Sequence, residues 1–83
     1  MSMKRYYFNI RDDGSTVMDE EGEEHASLEE ARQSAVDAIK ELAAARIRTG
    51  EVIGNTVLDV CDETGGVLKS ISFRQVIEEQ LKR

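Results

Sequence analysis

The 83-residue chain has no proline and no tryptophan, a single cysteine and a single histidine, and two tyrosines and two phenylalanines as its other aromatic residues. One cysteine, Cys61, excludes an intramolecular disulfide, so the chain is not a stapled secreted mini-protein and a reducing cytosol is the expected home. Long apolar runs are also missing: nothing approaches the ~18–20 residues of a membrane span, and no apolar segment follows the basic residues of the N-terminus. Cations are in the minority, 11 Lys and Arg against 17 Asp and Glu for a formal charge of −6. That balance argues against direct nucleic-acid binding, which needs cations to displace the counterions of phosphates. The lack of proline, of low-complexity sequence and of any linker predicts one soluble cytoplasmic domain over residues 1–83. A domain of this size buries only roughly 60–65% of its unfolded surface, so every apolar face matters.

What is present is organised around one stretch, Ser27 to Gly50. Ser27 stands three residues before Glu30, the capping-box spacing, and Gly50 follows the last good helix former, where a left-handed residue closes a helix. Arg46 and Arg48 suit the partial negative charge of that end. At 100° per residue, Leu28, Ala31, Ala35, Val36, Ile39, Leu42, Ala43 and Ile47 form one apolar stripe opposite Glu30, Asp37, Glu41 and Arg48. One face of the helix is for a core and the other for water.

Before the helix, Lys4–Arg11 alternates as a strand, with Tyr6, Phe8 and Ile10 on one side and Arg5, Tyr7, Asn9 and Arg11 on the other. Asp13-Gly14 supplies a hairpin turn to a short edge strand, Thr16–Asp19, and a polar loop around Gly22 leads to the helix cap. After the helix, Val52 and Ile53 are expected to tuck under its end. Thr56–Asp62 and Val67–Phe73 read as a second hairpin across Glu63-Thr64-Gly65-Gly66. Ser72 precedes Gln75 by three, and Phe73, Val76, Ile77 and Leu81 have helical spacing, which predicts a short terminal helix that must dock to persist.

The order ββαββα predicts an α+β fold: a four-stranded, mainly antiparallel sheet with one long helix on one face and a short C-terminal helix. Strand orders 2-1-3-4 and 2-1-4-3 both satisfy it, with the first preferred. A 22-residue helix is about 33 Å long and a seven-residue strand about 23 Å, so the helix should overhang the sheet. The overhang carries Ala43, Ala44 and Ile47. The far face of the sheet would display Tyr7 with one or more of Val57, Cys61 and Leu68, and either the terminal helix or a second copy is expected to cover these surfaces.

Catalytic signals are scarce. Cys61 and His25 are the sole thiol and imidazole, and nothing in their spacing brings them together. Cys61 reads as a buried strand residue and His25 as a solvated loop residue, a lone histidine being a poor metal site. There is no phosphate loop and no catalytic carboxylate pair. Tyr6-Tyr7-Phe8 could stack bases only if the rings shared a face, and alternation separates them, which leaves Tyr6 and Phe8 for the core. The segment Asp12–Ala31 holds nine acidic residues and no Lys or Arg. Its DEEGEE stretch lacks the alternating ligands of a calcium loop. Glu20, Glu21, Glu23 and Glu24 are therefore candidates for docking a basic partner, including Lys4, Arg5 and Arg11 of a neighbouring copy, and the segment is otherwise a solvated loop.

Four pieces of the sequence, Tyr6-Tyr7-Phe8 with Arg11-Asp12, Asp19-Glu20-Glu21-Gly22, Leu28-Glu29-Glu30-Ala31, and Asp62-Glu63 with Gly65, together resemble an uncharacterised family of small bacterial proteins, a DUF6894-like domain of unknown function. The resemblance runs from Arg5 to about Phe73. It implies no reaction, ligand or cofactor, so no catalytic, cofactor-binding or metal position is carried over. The Leu28–Ala31 helix start after a hairpin is also similar to antitoxins of the HicB type, although their usual strand–strand–strand–helix order differs. The resulting expectation is a non-catalytic protein-interaction module that forms a homodimer, with Tyr7, Ile47 and Leu68 as self-association residues. The alternative is an antitoxin-like or regulatory protein that binds a basic protein, or nucleic acid indirectly.

Overall fold

In the computed structural model, which describes residues 2–82, the elements follow in the order β1 (Lys4–Asp12), β2 (Ser15–Val17), β3 (Glu23–His25), α1 (Leu28–Thr49), β4 (Val57–Cys61), β5 (Val67–Ser72) and α2 (Phe73–Leu81). The sheet order is β2-β1-β4-β5, with every pairing antiparallel. Of the two orders open from sequence, the one in which the hairpins meet through β1 and β4 is adopted. The strand count needs correction from four to five. Glu23–His25, read as polar loop, pairs with Lys4–Tyr6 on the same edge of β1 that β2 uses further along. Its side chains carry no strand signal, because the pairing rests on backbone bonds at an exposed edge. The second strand also ends earlier than read, at Val17.

The α1 boundaries are those the capping residues specify. Ser27 Oγ accepts from the Glu30 N–H at 3.2 Å, and Gly50, at φ 81°, closes the helix with its N–H on the carbonyls of the last turn. The stripe is narrower than the pattern suggested: Ala31, Ala35, Ile39 and Ala43 are buried, whereas Leu28, Leu42 and Ile47 at its margins stay exposed. Three alanines in the contact row let the helix lie close to the sheet, where Ile39 meets the layer of Tyr6, Leu58, Val60 and Phe73. Phe8, Ile10 and Ile71 complete that face. The register explains the match, since Ile10 and Ile71 flank Leu58 from its two sides. Fully burying such side chains stabilises by about 1.5–3 kcal/mol each.

Ser72 is a strand residue and a cap at once. Its Oγ accepts from the Gln75 N–H at 3.3 Å, and α2 starts at once with the buried Phe73. The terminal helix then packs Val76 against the α1 layer. Arg46 does not serve the helix end. Its guanidinium turns inward, donates to Thr56 Oγ1 at 2.7 Å, approaches Asp12 at 3.4 Å and lies 5.4 Å from the centre of the Phe73 ring. The Thr56 hydroxyl in turn donates to Asp12, so the ends of α1 and β1 and the starts of β4 and α2 meet at one polar clamp. Val52, expected beneath the helix, is 83% exposed, and Ile53 alone reaches the core. The thinnest dimension of the molecule is 17 Å, which is room for a sheet and one helical layer.

Candidate functional site

The acidic arm is a built structure before it is a surface. Between β2 and β3 the chain bulges outward over Met18–Gly22, leaving Tyr7, Phe8 and Asn9 of β1 without a strand partner on that edge. Asp19 fills the gap. Its Oδ2 accepts the Phe8 N–H at 3.0 Å, its Oδ1 accepts the N–H groups of Glu21 and Gly22 at 3.3 and 3.1 Å, and its own N–H donates to Asn9 Oδ1 at 2.8 Å. A carboxylate thus does the work of a missing strand residue, which satisfies donors that would otherwise cost free energy at a part-buried site. Gly22 is required for a different reason: it holds φ at +72°, and a Cβ there would sit 2.8 Å from the Tyr6 carbonyl oxygen. Arg5 clasps the same loop through the Glu21 carbonyl at 2.8 Å. Sequence reading missed this function of Asp19; the signal for it is the glycine three residues on, the spacing of an Asp-capped turn.

The four glutamates of the arm are not equivalent. Glu23 accepts from Ser34 Oγ of α1 at 2.9 Å and lies 3.0 Å from His25 Nε2, and Glu24 lies 3.7 Å from Arg5. The carboxylates of Glu20 and Glu21 have no side-chain partner among the described residues, and both residues are exposed. His25 is no solvated loop residue. Its side chain is only 18% exposed and its ring stacks on Phe8 at 6.3 Å and tilts against Tyr6 at 6.2 Å. The correction follows from β3, which carries the imidazole onto the core side of the sheet edge.

Cys61 belongs to the opposite face. It is 2% exposed, pairs across from Tyr7, and receives a hydrogen bond from Asn9 Nδ2 at 3.5 Å. Burial, reinforced by Asp59 and Asp62, pushes its thiol above the ordinary range, which keeps it protonated and unreactive. The sheet itself stands between the thiol and the imidazole. Nearby, Asp59 is bridged by Arg11 Nε and Nη2 at 2.9 and 3.2 Å and accepts from Ser70 Oγ at 2.6 Å. The Arg11 hydrogen bonds, aided by Ser70, hold its carboxyl below the usual range. A shallow depression of about 170 Å³ on this face is lined by Tyr7, Asn9, Met18, Asp19 and Cys61, among others. Among the described residues there is no group of three or more His, Cys, Asp or Glu placed to hold a metal ion, and no helix long and apolar enough to cross a membrane.

The three self-association candidates are scattered rather than gathered. Tyr7 is half-buried on the open sheet face. Leu68, 42% exposed, is displaced at the irregular register between β4 and β5 and lines a groove with Leu28 and Tyr6, on the helix side and away from Tyr7. Ile47, 61% exposed, has the most apolar surroundings. It lines a groove of about 240 Å³ between α1 and α2 with Ala43, Ala44, Val76, Ile77 and Leu81. Leu81, which the helical spacing of the sequence places in the terminal helix, is 74% exposed at the edge of this groove.

The family model for a domain of unknown function, DUF6894, matches residues 5–74. The chain belongs to the DUF6894 family. The DUF6894 match begins at the second residue of β1, takes in the other four strands, the Asp19–Gly22 bulge and the whole of α1, and stops at the second residue of α2. No curated protein and no solved structure matches this DUF6894 chain.

Proposed function

We propose that this DUF6894 chain is a small, non-catalytic, cytoplasmic interaction module that associates with a second copy of itself. One observation carries the reading. Ala44, Ile47, Ile77 and Leu81 line one apolar groove between two neighbouring helices, with Ile47 and Leu81 61% and 74% exposed. Apolar rows bordered by charge mark interaction surfaces, and a homodimer is the commonest way to cover one. Sedimentation velocity across the micromolar range tests this: a concentration-dependent shift from monomer to dimer, abolished by Ile47→Lys or Leu81→Lys, supports it. A monomer at every concentration overturns it.

A second reading has its own support. Asp19 and Arg5 hold the bulge rigidly, so Glu20 and Glu21 are presented at little entropic cost to a basic protein, as an antitoxin-like or regulatory role requires. Titration with a lysine-rich peptide is expected to show binding that Glu20→Gln with Glu21→Gln removes and Glu23→Gln with Glu24→Gln retains, since the latter two are engaged internally. Equal binding by both double variants would reject the bulge as the docking site.

A further inference from the structure

We infer that the second copy docks α1 against α1 in antiparallel fashion, with Glu41 of each copy against Arg48 of the other across a two-fold axis near Ala44 and Ala45. The inference deepens the self-association reading and rests on it.

The argument starts from spacing. Lys40, Ala44 and Ile47 follow at intervals of four and three residues along the side of α1 that borders the apolar groove, the seam positions of a paired helix. On that pattern Glu41 and Arg48 occupy the same flanking position, one heptad apart, or about 10.5 Å along the axis. Both are exposed, and neither has a hydrogen-bond or ion-pair partner among the described residues. Every other arginine of the α1 helix is engaged: Arg32 with Glu29 at 2.8 Å, and Arg46 with Thr56 and Asp12.

Direction follows from charge. Flanking positions of the same kind face one another when two helices run antiparallel. The midpoint between residues 41 and 48 falls at the Ala44–Ala45 peptide, so a two-fold axis there generates the Glu41 to Arg48 contact twice. In a parallel pair this flank would instead face the partner's other flank, Val36 and Ala43, and neither Glu41 nor Arg48 would meet an opposite charge. Alanine at the seam position 44 permits close approach at the crossing point, where a bulky residue would hold the helices apart. The groove of about 240 Å³ between α1 and α2 then receives aliphatic side chains of the other copy. The complementarity is thus contained within one helix, and it selects a second copy as the occupant.

The symmetry provides a test that a folding defect cannot imitate. Glu41→Arg and Arg48→Glu are made separately and run by sedimentation velocity, alone and as an equimolar mixture, with circular dichroism confirming that each is folded. Either variant alone places two like-charge contacts in its homodimer and is expected to weaken association about tenfold. The mixture restores both attractive contacts in a heterodimer and should recover wild-type association to within about twofold, as should the E41R/R48E double variant with itself. A wild-type dimer unaffected by the single changes, or weakened without recovery in the mixture, overturns the antiparallel arrangement and leaves self-association standing. A wild-type monomer overturns both.

Discussion

The two faces of the sheet bury comparable numbers of side chains by different physics. The helix-covered face holds Tyr6, Leu58 and Val60 beneath Ile39 and Phe73, an apolar layer that excludes water without needing directed contacts. Among the described residues, no second layer of structure covers the open face. Nevertheless Asn9, Asp59 and Cys61 on that side are 8%, 6% and 2% exposed. Each is covered by hydrogen-bonded neighbours: Asn9 by the Asp19 bulge, Asp59 by Arg11 and Ser70, Cys61 by Asn9. No buried side-chain polar atom lacks a partner among the described residues. The contrast shows how a chain with only one helical layer closes both sides of a sheet, with area on one and satisfied polarity on the other.

The largest effect should come from opening the covered face. Ile39→Ala removes a side chain with no solvent exposure and leaves a cavity under α1. A loss of about 2–5 kcal/mol is expected from chemical denaturation, most of the stability of so small a domain. A loss below 1 kcal/mol would mean that α1 does not hold the sheet as described.

Asn9→Ala sharpens the comparison from the other side. It strips the acceptor from the Asp19 N–H and a donor from Cys61, and leaving a part-buried group unpaired costs about 1–3 kcal/mol. The loss should be local as well as global, with faster amide exchange at Phe8, Asp19 and Gly22 than at β4. Uniform acceleration across the sheet would contradict a separately pinned bulge.

The smallest effect, and the only one that depends on pH, concerns Asp59. Its carboxyl is more acidic folded than unfolded because Arg11 and then Ser70 bond its ionised form. The stability it contributes is therefore fully present above the ordinary carboxylate value of about 3.9 and is lost as pH falls through the lower folded value. Asp59→Asn should lower stability at neutral pH by about 1 kcal/mol and flatten the acid limb of the stability curve. Asp12, held low by Thr56 and then Arg46, keeps part of that limb in the variant. An unchanged acid limb would show that the Arg11 pair contributes nothing to folding.

How much of this was legible depended on how local each signal is. Ser27, Gly50 and Ser72 were readable because a cap involves residues within one turn of itself. The side of β1 that carries Tyr6 was readable because alternation is local to a strand. Glu23–His25 was not, because its status as a strand depends on Lys4–Tyr6, some twenty residues away, and on backbone groups that carry no side-chain signature. For the candidate surfaces, the acidic residues were visible as a run, but their division into engaged and free carboxylates required knowing that Ser34 and Arg5 lie beside them.

The sequence by itself determined the long helix and its ends, the two flanking hairpins, the terminal helix and the side of β1 that faces the core, since each follows from periodicity and capping within a short window. Only the tertiary structure decided that Asp19 completes an interrupted strand edge, that Arg46 leaves the helix end for Thr56 and Asp12, and that His25 and Cys61 lie on opposite faces. Those outcomes depend on groups far apart in the chain being brought within hydrogen-bond or packing distance, and no local pattern records which of them will meet.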